Sequence, residues 1–188
     1  GYMFKGILAT NSGKFPTKIN HIRVPAYEIW RGVVKRCWYT RERGRVEYSG
    51  VKVSEDWLDY SNFYEDVVGM IGYNCDNFAL DKDILSGDEK IYSKDTCCFV
   101  PRDINVALTT SKAARGNFAI GVDFHKNSNK FRARHRGYTG LFDTEIEAFY
   151  AYKEDKEKYL KCLAEKYREQ IDFRVYNALM NYEVKITD

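Results

Sequence analysis

Apolar positions along this chain fall into blocks of different period. Tyr27, Trp30, Val34 and Trp38, joined by Val33 and Cys37, recur every three to four residues. That spacing predicts an amphipathic helix over Tyr27–Trp38 whose polar face carries Arg31, Lys35 and Arg36. In the segment Lys130–Arg136, KFRARHR, the period drops to two. Arg132, Arg134 and Arg136 would then leave one face of a strand. Helical spacing returns with Ile146, Phe149, Tyr150, Leu160, Leu163 and Tyr167, which predicts a long helix from Glu145 to about Glu169, capped by Asp143-Thr144.

Between these blocks the signals are shorter. Residues 1–25 break apolar pieces with Gly6, Gly13, Pro16 and Asn20, as a β-hairpin or an extended arm would. Val51–Tyr64 predicts a short strand, a cap at Ser54 and a helix carrying Trp57, Phe63 and Tyr64. Leu80–Asp83 ends an apolar stretch, Ser86-Gly87-Asp88 turns the chain, and Tyr92–Asp95 offers a further turn or cap. Cys97–Val100 reads as a strand, and Pro101 can start a helix through Leu108. Thr109–Gly116, small and basic, is the best domain boundary, so residues 1–110 and 117–188 are expected as separate domains of an α+β protein. Asp172 caps a last short helix.

Charge sharpens this division. The net +3 of the 188 residues hides two basic blocks around an acidic one. Residues 1–52 hold 11 Lys/Arg against 3 Asp/Glu, residues 53–95 hold 3 against 11, and residues 112–136 hold 7 against 1. Basic blocks suit a polyanionic partner, and an acidic one suits a metal site or a solvated helix. No apolar run approaches the length of a membrane span and no signal-peptide pattern opens the chain, so a cytoplasmic protein is expected. Five cysteines (Cys37, Cys75, Cys97, Cys98 and Cys162) contain no CxxC pair. They read as reduced, mostly buried thiols rather than a zinc site.

The C-terminal pattern is strand, turn, strand, turn, strand, helix: Ala119–His125, Lys130–His135, Tyr138–Phe142, then the Asp143-Thr144 cap, with Asn127-Ser128-Asn129 and Gly137 at the turns. With Gly121-Val122, Phe131-Arg132-Ala133-Arg134, Tyr138–Thr144 and Glu147-Ala148…Ala151-Tyr152, residues 117–152 resemble the AP2 DNA-binding domain. The resemblance implies a three-stranded antiparallel sheet packed on a helix, its other face laid in the major groove of double-stranded DNA. Carried over, the contacts would be Arg132 and Arg134 on the second strand, His125, Lys126 and Lys130 around the first turn, and Arg136 and Tyr138 by the second. Independently, arginine binds guanine bidentately and turn lysines reach phosphates. The family's usual sheet tryptophan is missing from this stretch.

Three earlier segments, Trp30…Arg36-Cys37-Trp38, Val53–Leu58…Asn62-Phe63 and Leu80–Asp83…Tyr92–Pro101…Asn105, are similar in order to phage and prophage HNH-type endonucleases, which often carry an AP2 module behind them. The similarity implies a ββα domain holding Mg²⁺ or another divalent metal, with a histidine that deprotonates the attacking water. Candidate site residues are Asp81, Lys82, Asp83 and Asn105, with Asp81 and Asp83 on the metal. Lys82 stands where the histidine is expected, and His21, His125 and His135 all lie elsewhere. A lysine of ordinary pKa is a poor base at neutral pH. Three readings stay open: cleavage with another base, a catalytically silent scaffold, or acids that merely cap turns and pair with Lys82, Lys90 and Lys94.

Together these imply a DNA-binding protein of phage or mobile-element type, with an HNH-like domain that cuts DNA or has lost the ability. Arg31, Lys35, Arg36, Arg41, Arg43 and Arg45 would add phosphate contacts. The alternative is an inactive phage protein whose acidic block 53–95 binds and inhibits a host enzyme.

Overall fold

The computed structural model describes residues 2–4, 7–38, 50–87, 89–109 and 117–186. It is a mixed α+β protein that divides into two compact units, Gly1–Arg102 with Glu169–Val175, and Asp103–Arg168 with Tyr176–Asp188. Of the expected linker, only Thr109 is among the described residues, and Arg41, Arg43 and Arg45 also lie outside them.

In the first unit β1 (Tyr2–Phe4) pairs antiparallel with β2 (Ile7–Ala9), and β3 (Lys18–Ile19) with β4 (Ile22–Arg23). The second hairpin turns through Asn20 and His21, both at positive φ. Helix α1 (Pro25–Trp38) starts on proline, whose missing N–H costs nothing in a first turn. It buries Trp30, Val33 and Val34, as the spacing predicts. A short parallel pair follows, β5 (Lys52–Val53) with the later β7 (Ile91–Tyr92).

The single helix expected after Ser54 is two elements. A 3₁₀ turn covers Asp56–Leu58, Asp59 is extended (φ −90°, ψ 128°), and α2 runs Tyr60–Val67. Ser54 accepts the Trp57 N–H at 3.4 Å ahead of the 3₁₀ turn, while Asp59 caps α2 by accepting the Ser61 N–H at 2.7 Å. The break places Trp57 and Phe63 edge to face, 4.8 Å between centroids, in the middle of the core. Trp30 donates its indole N–H to the Trp57 carbonyl at 2.8 Å, and Trp57 donates its own to Asp66 at 2.8 Å. Both fully buried indoles are thereby satisfied.

The acidic block folds as β6 (Phe78–Asp81), α3 (Asp83–Ser86), β7 and β8 (Cys98–Pro101), with β6 and β8 antiparallel. Pro101 is the last residue of β8, and α4 (Arg102–Leu108) starts one residue later than expected.

The second unit is built on β9 (Val122–His125), β10 (Lys130–His135) and β11 (Tyr138–Phe142), antiparallel in the order β11-β10-β9. Helix α5 (Glu145–Lys166) packs on all three strands. Its first turn is a capping box: Thr144 accepts the Glu147 N–H while Glu147 accepts the Thr144 N–H. Its buried stripe differs from the expected one. Ala148, Phe149, Tyr152, Lys156, Leu160, Leu163 and Ala164 are buried, whereas Ile146 and Tyr150 are exposed. The phase shifts because Tyr152 packs against backbone: a Cβ on Gly121 (φ +73°) would fall 2.1 Å from its ring. The final helix α6 (Phe173–Met180) follows Asp172, which accepts the Arg174 N–H as expected of a cap. Beyond it Val184 is buried, and its N–H donates to Glu157 of α5.

Candidate nucleic-acid interface

Cross-strand pairing decides which side chains share a face of the C-terminal sheet. Ala133 lies opposite Val122 and Gly140, and Phe131 opposite Phe124 and Phe142. Ala133, Val122, Phe131 and Phe142 belong to the core with Ala148, Phe149 and Tyr152 of α5, so the odd positions of β10 point at the helix. The even positions point away. The outer face therefore carries Asp123, His125, Lys130, Arg132, Arg134, Thr139 and Leu141.

The charges on that face are organised. Asp123, opposite Arg132, accepts from its Nε at 2.9 Å and from an Nη at 3.2 Å. The same carboxylate lies 2.6 Å from Arg134. The Arg132 hydrogen bond, with lesser help from Arg134, holds the Asp123 carboxyl below its ordinary range despite partial burial. Arg132 is held by both oxygens of Asp123 and its side chain is only 27% exposed, whereas Arg134 stands out at 60%. Lys130 reaches Asp143 at 3.1 Å. His125 closes the first turn through Ser128 at 2.8 Å, and Lys126 is exposed within that turn.

Two expected contacts leave this face. Arg136 falls one residue past β10 at φ +48°, and its guanidinium lies 4.3 Å from the Tyr159 ring centroid on α5. The three arginines therefore do not project together, because the strand ends before its period reaches the third. Tyr138 pairs with His135, whose ring packs on Tyr152 and Tyr159, so its register is that of the helix side. Asp123 was the missed member. Counting back from the first turn, where Lys130 pairs with His125, sets it opposite Arg132, so hairpin register was the available signal.

Asp81 and Asp83 are engaged in local structure. Asp81 Oδ1 accepts the N–H groups of Asp83 (2.8 Å) and Ile84 (3.0 Å), capping α3. Burial raises its carboxyl above the ordinary value, partly offset by those bonds. Lys82 is only 6% exposed, is ion-paired with Asp83, and sits 5.6 Å from the Tyr92 ring centroid. Asn105 belongs to the second unit. Asp81 Oδ1 is therefore taken up by backbone N–H groups, and Asp83 is paired with a buried lysine. Among the described residues, no three His, Cys, Asp or Glu side chains gather as a ligand set.

On α1, Arg31 pairs with Glu28 and Arg36 lies 5.5 Å from the Tyr92 ring centroid, while Lys35 is exposed. All five cysteines are free, with Cys97 and Cys98 buried, Cys37 half-buried, and Cys75 and Cys162 exposed. Burial pushes the thiols of Cys37 and Cys97 up to about 12 and that of Cys98 higher still, so these three are poor nucleophiles and poor metal ligands at neutral pH.

The chain matches no protein-family model, and neither a curated protein nor a solved structure is significantly similar to it. Among the described residues no helix is long and apolar enough to cross a membrane.

Proposed function

We propose that the protein binds double-stranded DNA through the outer face of the β9-β10-β11 sheet, as the AP2-like pattern of residues 117–152 implies. The observation that carries this reading is the pairing of Arg132 and Arg134 around Asp123 on the face opposite α5. An arginine braced by a neighbouring carboxylate loses little conformational entropy when it meets a base edge. Arg134 is the principal reader, Arg132 the braced second arginine, and Lys126 and Lys130 the phosphate contacts. A small antiparallel sheet is among the structures that enter the major groove.

The first unit acts in this reading as a scaffold that does not cut. Lys82 in the place of the expected histidine, and the use of Asp81 Oδ1 by the backbone at the start of α3, support this reading over cleavage.

Duplex binding followed by fluorescence anisotropy across a salt series tests the interface. Affinity should fall steeply with salt and be lost in Arg132→Ala/Arg134→Ala. A double variant that binds duplex DNA as tightly as the parent refutes the sheet-face reading.

A further inference from the structure

The two residues that leave the DNA-facing side build something else. On the helix side of the sheet, at the β10-β11 turn, a pocket of about 300 Å³ is lined by His135, Arg136, Tyr138, Asp155, Lys158, Tyr159 and Cys162. That volume lies at the low end of the ~300–1,000 Å³ typical of small-molecule sites. All of its lining lies in the second unit.

The charge balance inside is uneven. Asp155 is the acid of the lining among the described residues, and its carboxylate is taken by His135 Nδ1 at 2.6 Å. Arg136 and Lys158 are both exposed on this lining, and Asp103, outside it, adds an electrostatic attraction to Arg136. Arg136 lies over the Tyr159 ring, 4.3 Å from its centroid, and Tyr138, 37% exposed, offers another ring on the lining.

The backbone adds a separate observation. Arg136 and Gly137 are the two central residues of the hairpin turn, with φ of +48° and +108°. A two-residue turn with both φ positive favours Asn-Gly or Gly-Gly, and a long side chain at its first position is disfavoured. Arginine therefore occupies a position where asparagine would suit the turn better, and its side chain is delivered into the pocket.

We propose that this pocket binds a nucleoside monophosphate, with Arg136 and Lys158 on the phosphate and the Tyr138 ring against the base. A planar cationic fork matches phosphate oxygens bidentately, and aromatic rings accept any base through its π-face. The site is independent of the outer face, since it lies on the opposite side of the sheet and uses none of Lys130, Arg132 or Arg134.

Isothermal titration of the whole chain with dAMP, deoxyadenosine and inorganic phosphate tests the assignment. dAMP should bind at least roughly ten-fold more tightly than either fragment, a difference of about 1.4 kcal/mol. Arg136→Asn keeps the turn chemistry and removes the guanidinium. It should weaken dAMP roughly ten-fold or more while leaving the melting temperature unchanged or higher. Lys158→Gln should weaken it too, whereas Arg132→Ala/Arg134→Ala should leave dAMP binding intact. No dAMP binding, inorganic phosphate binding as well as dAMP, or full affinity in Arg136→Asn each overturns the proposal. Loss of dAMP binding in the outer-face variant would overturn the independence of the two sites.

Discussion

Asp123 on β9 grips Arg132 on β10 across the strand pair with two hydrogen bonds, 2.9 and 3.2 Å, and leaves the same carboxylate 2.6 Å from Arg134. A face that reads in sequence as three like charges is, in the fold, two arginines sharing one acid. The acid lowers their mutual repulsion and limits their pull on any distant phosphate. Asp123→Asn should therefore raise affinity for non-specific duplex DNA and steepen its salt dependence by about one unit of slope. Anisotropy titrations at several salt concentrations check this, and an unchanged slope would show that Asp123 does not offset binding charge.

Arg134 and Arg132 should not be equivalent. Arg134→Ala removes the more exposed guanidinium and should cost about 1–3 kcal/mol of binding to a preferred duplex. Arg132→Ala frees Asp123 as well, so it should also weaken the contact made by Arg134. A double-mutant cycle reports this as coupling, and strict additivity would show that the two arginines act alone.

Acid should loosen this cluster. The native carboxyl of Asp123 lies below its ordinary value of 3.8, chiefly through Arg132, so the native state binds this proton less readily than the unfolded chain does. Its contribution to stability is present above that ordinary value and disappears as pH falls through the lowered one. Asp123→Asn should remove this part of the acid sensitivity, visible as a flatter stability profile in denaturant titrations below about pH 4.

Asp81 distinguishes a cap from a metal ligand. As a cap of α3, Asp81→Ala should cost about 1 kcal/mol, a shift of about 2–4 °C in melting temperature. Asp81→Asn keeps an accepting oxygen and relieves the buried charge, so it should melt no lower than the parent at neutral pH. Scanning calorimetry of both variants, with a plasmid-nicking assay in Mg²⁺ and Mn²⁺, separates the readings. Metal-dependent nicking lost in both would reinstate the nuclease.

Gly121→Ala tests the packing beneath the sheet. The added Cβ meets the Tyr152 ring at a backbone φ of +73°, with Gly121 also accepting the Arg134 N–H at 2.9 Å. A loss of more than about 1 kcal/mol is expected, since both strain and overlap oppose the methyl. An unchanged melting temperature would mean that Tyr152 moves freely aside.

Local signals carried much of the architecture. The three C-terminal strands, the Thr144 cap and the buried face of α1 follow from period, turn residues and capping chemistry, which act over a few neighbouring positions. Tertiary structure decided what depends on partners far along the chain. Strand register set Asp123 between the arginines, and a strand that stops at His135 turned Arg136 toward Tyr159. The approach of Gly121 rotated the buried stripe of α5. Periodicity says which residues share a face, whereas their chemical role depends on what the fold places opposite them.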